Sequence, residues 1–525
     1  MSFKAEREKL VESVESGQIW DIVIIGGGAS GLGAALDAAT RGYKTLLLEQ
    51  YDFTVGTSSR STKLVHGGVR YLAQGNVALV LEALKERGLL LNNAPHLVRN
   101  QKFLIPSYTW WYKPYYTLGL TLYDLLSGKL SFGRSLPYST KKTLKKIPTL
   151  KKPNLRGSVL YHDGQFDDSR LGVNLMQTII EKGGTPINYM RVTDLLKNEG
   201  KVSGVFAIDS ETKTEYRIKA KAVLNATGVF VDGILQQDNP DADDVVMASQ
   251  GVHIVIDGKF LKSDHAIMIP KTPDGRVLFA VPWHDKVIVG TTDIPKEQAF
   301  IEPEPTNEEI DFILETAGKY LSHQPTRADV KSIFAGLRPL AASTKGANGK
   351  TKEISRSHKI ITSESGLVTI IGGKWTTYRQ MGEEVVNKLA TTGNLQKTES
   401  KTKNLKIHGF KKNVNFNNSL YFYGSDVSII EDLIKEKPEL GEWLSEELKI
   451  IKAQVVIAVK SEMARNVIDI LARRTRALFL DAKESIRIAP AVAEIIAKEL
   501  NKDKAWEQKQ VDVFKSIADN YLIKE

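Results

Sequence analysis

The 525-residue sequence contains no cysteine. This absence excludes disulfide bonds, a thiol nucleophile, thiolate zinc sites and cysteine-held iron–sulfur clusters. Long apolar runs are missing too: no stretch approaches the roughly 20 apolar residues of a membrane-spanning helix, and the N-terminus lacks the apolar core of a secretory signal. We therefore expect a chain made and kept in the cytoplasm, without a metal site, in which any redox chemistry comes from a bound organic cofactor.

The overall composition is that of a globular protein. Hydrophobic residues make up 42% of the chain and charged residues 26%, a balance that excludes a disordered, collagenous or coiled-coil protein. A chain of this length exceeds the usual size of one domain, so the sequence predicts two or more cooperating domains.

Positive charge is concentrated in one segment. The formal net charge is +10, and residues 125–156 contain no acidic side chain. Their nine basic side chains are Lys129, Arg134, Lys141, Lys142, Lys145, Lys146, Lys151, Lys152 and Arg156. The preceding segment, SYTWWYKPYYTLGLTLYDLL, is aromatic and contains Trp110, Trp111, Tyr112, Tyr115 and Tyr116.

Aromatic rings favour the headgroup layer of a bilayer, and lysines are attracted to anionic lipids. The segment therefore favours a monotopic contact with an anionic membrane surface, on the inner face of the cell membrane. A solvated loop beside a packed aromatic cluster is the alternative. Nucleic acid is not predicted as a partner, because no recognition motif accompanies the charge.

A dinucleotide-binding motif lies near the N-terminus. The apolar run DIVII at residues 21–25 predicts a buried parallel strand, and Gly26, Gly28 and Gly31 follow with G-x-G-x-x-G spacing. Gly26 permits a tight turn, Gly28 lets the backbone approach a pyrophosphate, and Gly31 lets helix and strand pack closely. The N-terminus of the following helix offers N–H groups to the phosphates.

Glu49 ends the next predicted strand, residues 44–48, and an acid at this interval accepts hydrogen bonds from a ribose diol. These features do not distinguish FAD from NAD. Two later predicted strands end in glycine clusters, NATG at residues 225–228 and GGK at residues 372–374. Contacts from several separated segments suit a long, extended FAD, although each cluster alone is as typical of an ordinary turn.

Six segments occur in a characteristic order: GGGASGLGAALDAATRG, TSSRSTKLVHGGVRYL, NATG, GTTD, GLRPL and GGKWTTYR. Together they resemble the FAD-dependent glycerol-3-phosphate dehydrogenases. The resemblance covers residues 21–379 and continues more weakly through MARNVIDILARRTRALFL at residues 463–480. Arg-Tyr after His-Gly-Gly, with Gly-Gly-Lys-x-Thr-Thr-Tyr far downstream, is specific to this family, whereas the glycine-rich opening is common to many flavoproteins.

The resemblance implies an α/β (α+β) fold. An FAD-binding Rossmann-like domain would carry an inserted antiparallel-sheet substrate domain and a C-terminal helical domain. The FAD-binding domain would be non-contiguous, with residues 18–94, 157–244 and 334–395. The substrate or cap domain would contain residues 95–156, with the membrane-contacting segment, and residues 245–333. Short β-branched segments between turns predict a meander in the second of these, and helical patterns dominate residues 405–525.

The resemblance also implies which residues bind FAD. They lie in the glycine motif, at the end of the second strand, in the TSSRSTKLVHGG segment and at the two later glycine clusters. In chain order they are Gly26, Gly28, Ala29, Ser30, Gly31, Glu49, Thr57, Ser58, Ser59, Lys63, Leu64, His66, Gly67, Gly68, Ala226, Thr227, Gly228, Gly373, Lys374 and Thr376.

The implied reaction is oxidation of sn-glycerol 3-phosphate to dihydroxyacetone phosphate, with hydride transfer from C2 to flavin N5 and electrons passed to membrane quinone. Arginine forks match phosphate oxygens, so Arg70 and Arg338 are candidate substrate ligands together with Lys374. Tyr71 and Thr292 are candidate hydroxyl partners. A surface salt bridge is the alternative role for each arginine.

The reaction also needs a group that takes the proton of the C2 hydroxyl. A histidine suits this task, and His253 in GVHIVI is the preferred general base, acting with Arg338 and Lys374 as the catalytic set. Alternation along the strand places His253 and Val255 on one face of the sheet, so a hydrogen-bonded packing histidine is the alternative.

Other functions stay open at this point. A glycerol-3-phosphate oxidase producing hydrogen peroxide would share the scaffold, but oxidases of this group carry an extra insertion where only STKGANGKTKEIS follows Arg338 here. An amine or amino-acid oxidase would explain the flavin site but not the phosphate-capable cations. A flavin-bearing membrane-surface protein without turnover would explain the basic segment. A homodimer is left open as well.

Overall fold

The structure is a computed structural model that describes residues 5–69, 72, 75–272, 275–342 and 358–524, with only the backbone of Lys129. Two predicted substrate ligands, Arg70 and Tyr71, lie outside the described residues. The 343–355 connection, which favours a dehydrogenase over an oxidase, lies outside them too.

Strands dominate the first two thirds of the chain and helices the last third. In chain order the strands are β1 (Ile19–Ile25), β2 (Thr45–Leu48), β3 (Leu64–Val65), β4 (Val98–Pro106), β5 (Leu136–Tyr138), β6 (Ser158–Phe166), β7 (Thr185–Ile187), β8 (Met190–Asn198), β9 (Lys201–Asp209), β10 (Glu215–Asn225), β11 (Val246–Asp257), β12 (Ala266–Ile269), β13 (Leu278–Trp283), β14 (Lys286–Gly290), β15 (Ile294–Lys296), β16 (Val330–Ala341), β17 (Lys359–Thr362), β18 (Val368–Ile371), β19 (Trp443–Ser445) and β20 (Ile450–Ile451). The α-helices are α1 (Arg7–Glu15), α2 (Ala29–Arg41), α3 (Val77–Asn93), α4 (Tyr112–Ser127), α5 (Thr140–Lys146), α6 (Asp168–Glu181), α7 (Val231–Asp238), α8 (Asn307–Gly318), α9 (Tyr378–Thr392), α10 (Val427–Glu436), α11 (Lys452–Ser461), α12 (Ala477–Leu480), α13 (Ala482–Leu500) and α14 (Lys504–Ala518).

The first sheet has the order β17-β18-β10-β1-β2-β7, with β9 beside β10 and β8 beside β9. Strands β18, β10, β1, β2 and β7 run parallel, as expected for strands that are buried on both faces. Helices α2, α6 and α9 cover one face through buried residues such as Leu32, Leu175 and Val385. Helix α1 and the β8–β9 hairpin cover the other. The parallel strands bring several loops to one edge of this sheet.

The second sheet is mostly antiparallel and has the order β15-β11-β14-β13-β12-β4-β6-β3, with β16 beside β11 and β5 beside β6. The predicted meander is observed, since β14 pairs in antiparallel register with both β11 and β13. Strands β3, β6 and β16 also belong to this second sheet. They include residues assigned from the sequence to the FAD-binding domain. Strand β16 is one continuous strand across the proposed boundary at residue 334, and the domain limits stay a prediction.

The last third of the chain is helical, and this part of the fold prediction is confirmed. Helices α11 to α13 pack against the second sheet through Val255 of β11, Ile288 of β14 and Phe334 of β16. A π-helical turn, Asp469–Arg474, lies between α11 and α12. The C-terminal helical unit therefore shares its apolar core with the sheet that covers the candidate site.

His408 links this unit to the rest of the chain. Its Nδ1 lies 2.6 Å from Glu181 Oε1 at the end of α6, and its Nε2 lies 2.7 Å from Asp426 Oδ2. Burial lowers the pKa of His408, but the hydrogen bonds and charges of Asp426 and Glu181 outweigh burial and raise it to about 9. The imidazolium is therefore the form that the fold stabilises.

A histidine whose pKa is higher in the folded than in the unfolded protein stabilises the fold fully at pH values below its unfolded pKa. This stabilisation is lost as the pH rises through the folded pKa. We expect H408Q to lower the free energy of unfolding by roughly 3 kcal/mol at about pH 6 and by much less at about pH 9.5. Urea unfolding at both pH values measures this. The control is H323Q, which alters an exposed histidine. An equal loss for H408Q at both pH values would contradict the assignment.

Candidate active site

A cavity of about 740 Å³ lies between the two sheets. The loops after β1, β10 and β18 line it with Gly26, Thr227 and Gly373 among other residues. These three loops follow parallel strands, and the carboxyl ends of such strands meet at one edge of the sheet. The three glycine clusters that are far apart in the sequence therefore converge on one cavity.

The glycine motif forms a tight cradle at the start of α2. A Cβ atom at Gly31 would lie 1.9 Å from the carbonyl oxygen of Gly26, and a Cβ at Gly26 would lie 2.7 Å from the carbonyl oxygen of Ala226. Gly26 also has a φ of +107°, which favours glycine. The backbone N–H of Ala29, the first residue of α2, donates to Ser58 Oγ over 2.9 Å. The lack of side chains at Gly26 and Gly31 keeps this turn tight, and a phosphate group would lie at the N-terminus of α2.

Glu49 is fixed at the end of β2 by two backbone donors. The Gly27 N–H donates to its Oε2 over 2.6 Å, and the Tyr51 N–H donates to its Oε1 over 2.9 Å. Burial raises the pKa of Glu49, and these two hydrogen bonds oppose the rise. The carboxylate lines the cavity one strand away from the glycine cradle, where the ribose of a dinucleotide would lie.

Most predicted FAD-binding residues line this cavity. They are Gly26, Gly28, Ala29, Ser30, Glu49, Thr57, Ser58, Leu64, His66, Gly68, Ala226, Thr227, Gly228, Gly373, Lys374 and Thr376. The segments that carry them also bind one another: Trp375 Nε1 donates to the Ser58 carbonyl over 2.9 Å, and the His66 N–H donates to Thr376 Oγ1 over 3.3 Å. The glycine cradle, the fixed acid and a cavity lined from separated segments fit FAD.

Gly31, Ser59, Lys63 and Gly67 lie behind the lining. The Lys63 ammonium is wholly buried and donates to the Ser59 carbonyl over 2.6 Å and to Asp168 Oδ2 over 2.7 Å. The Gly67 N–H donates to the Tyr123 hydroxyl over 2.8 Å. These residues shape the loop that lines the cavity, and the partner of Lys63 is 105 residues away in the sequence.

Arg338 lies in β16, and its guanidinium lines the cavity. Its Nη2 donates to Thr291 Oγ1 over 3.1 Å and to the Thr292 carbonyl over 3.2 Å, and its Nη1 lies 3.3 Å from Asp293 Oδ1. Gly251 on the neighbouring strand leaves room for the fork, since a Cβ there would lie 2.3 Å from Nη2. The GTTD and GLRPL segments therefore meet at one cationic corner of the cavity.

Thr292, a predicted hydroxyl partner of the substrate, has its hydroxyl in other hydrogen bonds. Thr292 Oγ1 donates to Glu309 Oε1 over 2.6 Å and accepts from the Val252 N–H over 2.9 Å. Glu309 is buried near the start of α8, where it also forms a capping box with Thr306. The structure instead places the Thr291 hydroxyl beside the Arg338 guanidinium. Of the two threonines in this segment, Thr291 is therefore the one whose hydroxyl contacts Arg338.

His253 lies in β11 among the residues that line the cavity. Its Nε2 lies 2.9 Å from Thr62 Oγ1, and its ring stacks on Phe334 with centroids 4.8 Å apart. Its Nδ1 is buried and has no hydrogen-bond partner among the described residues. Burial lowers the pKa of His253 well below its ordinary value, and the charges of Arg338 and Lys63 lower it further. The imidazole is therefore neutral at neutral pH.

Sequence reasoning missed part of the lining. Three missed residues belong to segments with a recognisable motif: Thr62, Thr291 and Asp293. The motifs indicate that these segments lie at the site, but they do not indicate which contacts the three side chains make. Apart from Leu64, an apolar wall of the cavity was missed. It contains Leu64, Phe103, Tyr161, Met268 and Phe279. Only Leu64 belongs to a segment with a recognisable pattern, and the others come together through the pairing of β4, β6, β12 and β13.

Comparison with known proteins shows the family to which the chain belongs. The family model for FAD dependent oxidoreductases matches residues 21–379, and the model for the C-terminal domain of alpha-glycerophosphate oxidase matches residues 368–507. The human mitochondrial glycerol-3-phosphate dehydrogenase is 39% identical over 96% of this chain and 74% of its own length. The chain belongs to the FAD-dependent glycerol-3-phosphate dehydrogenase family. Its cofactor is FAD.

Two further comparisons fit this glycerol-3-phosphate dehydrogenase family. The mitochondrial enzyme of Saccharomyces cerevisiae is 38% identical over 98% of this chain and 92% of its own length. The solved structure of the Bacillus halodurans glycerol-3-phosphate dehydrogenase, complexed with FAD, has a TM-score of 0.81 and 30% identity and covers all of both chains. The predicted family, fold class and cofactor are confirmed. The L-alpha-glycerophosphate oxidase of Mycoplasma pneumoniae, with a TM-score of 0.55 and 16% identity, shares the fold.

Proposed function

We propose that the chain oxidises sn-glycerol 3-phosphate to dihydroxyacetone phosphate and passes the electrons to membrane quinone. The observation that carries the proposal is the Arg338 fork beside Thr291 and Asp293 in a cavity that fits FAD. Similarity to enzymes named glycerol-3-phosphate dehydrogenase supports it. Bound FAD would supply the hydride acceptor, flavin N5, for oxidation at C2 of the substrate, and the glycine cradle and Glu49 would hold the cofactor.

The substrate phosphate is a dianion that needs cationic donors. Arg338 offers a planar fork, and Lys374, in the loop after β18, is a second cation in the lining of the same cavity. Asp293 pairs with the Arg338 guanidinium and also accepts a hydrogen bond from Ser249. An amine or amino-acid substrate would have no use for two cations in this cavity, so the lining favours a phosphorylated alcohol.

His253 is the proposed general base. A neutral imidazole can accept the proton of the C2 hydroxyl, and the lowered pKa keeps His253 neutral at physiological pH. The contact between its Nε2 and Thr62 Oγ1 fixes the ring orientation. The stacking on Phe334 holds the ring plane, so the nitrogen atoms keep fixed directions.

We expect H253Q to lower kcat by on the order of 100-fold or more while the flavin spectrum is unchanged. In the unchanged protein, kcat/KM falls as the pH falls through the pKa of the base, so its acid limb lies below pH 6.5. Steady-state kinetics across pH measures both effects. The control is H284Q, a histidine at the end of β13 that lines a different cavity. A kcat for H253Q within about threefold of the unchanged protein would leave His253 as a packing residue.

Helix α4 carries an exposed apolar stripe. Its members recur every three or four residues along one face: Trp111, Tyr115, Leu118, Leu122 and Leu125. Leu118 is 77% exposed and Leu125 is 73% exposed, and Trp110 precedes the stripe with 73% exposure. The basic residues of α5 follow in the chain, with Lys141, Lys142, Lys145 and Lys146. An exposed apolar and aromatic stripe, followed in the chain by a lysine-rich helix, supports a peripheral contact with an anionic bilayer.

Among the described residues, the structure contains no helix with the length and hydropathy of a bilayer span. We expect the triple variant L118S/L122S/L125S to bind anionic lipid vesicles at least about 10-fold more weakly, because three exposed leucines no longer enter the headgroup layer. Vesicle co-sedimentation measures this. The control is L81S, which removes a leucine that is 44% exposed on α3. Unchanged vesicle binding by the triple variant would contradict the membrane assignment.

The apolar wall of the cavity supports quinone as the acceptor. Phe103 and Tyr161 stack with ring centroids 4.9 Å apart, and both pack in one cluster with Leu120 of α4. The inner face of the proposed membrane helix thus packs on side chains that line the flavin cavity. A lipid-soluble quinone would meet mainly apolar side chains along this wall.

The choice between quinone and oxygen is tested with the reduced enzyme. Protein reduced by sn-glycerol 3-phosphate is mixed in parallel with a short-chain quinone and with air-saturated buffer, and the return of the flavin band is followed. We expect fast reoxidation by quinone and slow reoxidation by oxygen. Fast reoxidation by oxygen with stoichiometric hydrogen peroxide would make the chain an oxidase.

A further inference from the structure

Three arginines of the C-terminal helical unit are buried against the FAD-binding half of the chain. Arg473, Arg474 and Arg476 are 4%, 0% and 2% exposed. They lie at the end of the π-helical turn and just before α12. Across the interface their carboxylate partners are Asp52 and Asp168, which belong to the other half of the molecule and are fully buried as well. Within the helical unit, Arg473 also pairs with Asp469. Charges at this depth persist only when they are paired.

The first partner, Asp52, fixes the segment that follows Glu49. Arg473 Nε lies 2.6 Å from Asp52 Oδ2, and Arg474 Nη2 lies 2.9 Å from Asp52 Oδ1. Burial raises the pKa of Asp52, but the charges of Arg474 and Arg473 outweigh burial and hold it below its usual range. On either side of Asp52, Tyr51 and Thr54 line the flavin cavity. The two arginines thus hold one wall of the FAD site.

The second partner, Asp168, fixes the loop of residues 59–63. Arg476 Nη2 donates to Asp168 Oδ1 over 2.9 Å and to the Ser59 carbonyl over 3.0 Å. The other oxygen of Asp168 accepts from Ser61 Oγ and from Lys63 Nζ, each over 2.7 Å. Between these anchored residues, Thr62 lines the cavity and contacts His253 Nε2.

We propose that Arg473, Arg474 and Arg476 are positioning residues that hold the segments 50–54 and 59–63 in their FAD-binding conformation. The C-terminal helical unit then completes the FAD site without contributing to its lining. The lining side chains themselves lie in loops, and the arginines supply buried, charge-assisted hydrogen bonds at two points of those loops. Loss of one arginine leaves a buried carboxylate underpaired and frees the loop that it holds.

Arg465 provides a matched control at the same interface. It also belongs to the C-terminal helical unit and pairs across to the other half, with Nη2 2.7 Å from Glu211 Oε2 and Nη1 3.1 Å from Glu8 Oε1. Neither Glu211 nor Glu8 lines the flavin cavity. R465Q therefore weakens the interface between the two halves without touching an FAD-lining segment.

The test compares R476Q with R465Q in the full-length holoenzyme. The rate of FAD release after dilution is followed by flavin fluorescence, without glycerol 3-phosphate, so the result is independent of the proposed substrate. The thermal midpoint of each variant is measured in excess FAD. We expect R476Q to release FAD about 10-fold faster than the unchanged protein, the effect of losing one charge-assisted hydrogen bond, and R465Q to stay within about twofold.

Two results would overturn the proposal. The first is FAD release from R476Q at the rate of the unchanged protein. The second is FAD release that is accelerated equally in R476Q and R465Q when both variants lose the same amount of thermal midpoint, because that result indicates a purely structural role. If R476Q fails to fold, R476K keeps the charge but loses the planar fork. We then expect R476K to release FAD faster than R465Q but less than tenfold faster than the unchanged protein. FAD release from R476K at the rate of R465Q would refute the positioning role.

Discussion

Replacing Gly31 by alanine is expected to give a protein that purifies with little or no flavin. The added Cβ would lie 1.9 Å from the carbonyl oxygen of Gly26, which is backbone and cannot swing aside. Relief of this clash needs a shift of α2 or of the loop after β1, which costs about 1–3 kcal/mol. Because that loop forms the phosphate cradle, we expect the Kd for FAD to rise about 10- to 100-fold. Flavin content after purification and titration of the apoprotein with FAD measure the change.

The matched control is G119A. Gly119 lies within α4, and a Cβ there would meet nothing within 4 Å. This variant adds the same methyl group to a helix and should keep its full flavin content. A G31A protein that is as yellow as G119A would show that the cradle does not bind the cofactor.

Replacing Arg338 by alanine is expected to lower kcat/KM for sn-glycerol 3-phosphate by on the order of 100-fold, since a bidentate, charge-assisted contact with the phosphate is lost. The visible flavin spectrum reports loss of the cofactor and should be unchanged. R338K should recover only part of the activity, because an ammonium cannot reproduce the fork. Activity toward glycerol, which has no phosphate, should be as low in R338A as in the unchanged protein.

R327Q serves as the control for the loss of an arginine. Arg327 is a third exposed and pairs with Asp311 at a distance of 2.9 Å, away from the cavity. Its removal should leave kcat/KM within about twofold, as for most surface ion pairs. If R338A keeps the kcat/KM of R327Q, the phosphate is held elsewhere.

The sequence was informative wherever a local pattern decides the structure. The run DIVII, the spacing of Gly26, Gly28 and Gly31, and Glu49 at the next strand end are all short-range features, and each lies where the pattern predicts. The two later glycine-bearing loops meet the first in one site because the carboxyl ends of parallel strands share an edge.

Long-range pairing decided the parts that the sequence did not reveal. Lys63 sits in a predicted FAD-binding segment, yet its ammonium turns away to Asp168 on α6. Thr292 is predicted from sequence as a hydroxyl partner of the substrate, and no local pattern indicates that its hydroxyl donates a hydrogen bond to Glu309 of α8. The arginines at 473, 474 and 476 lie in a helical pattern that does not reveal their buried role, because their carboxylate partners in the other half lie more than 300 residues earlier.

The membrane segment shows the same division. Aromatic rings and lysines are visible in the sequence, but the stripe of Leu118, Leu122 and Leu125 depends on which face of α4 packs on the second sheet. Leu120 is buried on the inner face, so the leucines on the outer face are left to solvent. Only the packing of the helix separates the two sets.

The most direct test of the whole account is anaerobic addition of sn-glycerol 3-phosphate to the purified yellow protein while the visible flavin band is recorded. We predict that the band bleaches fully with one equivalent of substrate per flavin, and that glycerol and glycine leave it unchanged. A flavin band that persists in excess sn-glycerol 3-phosphate would contradict the proposed reaction.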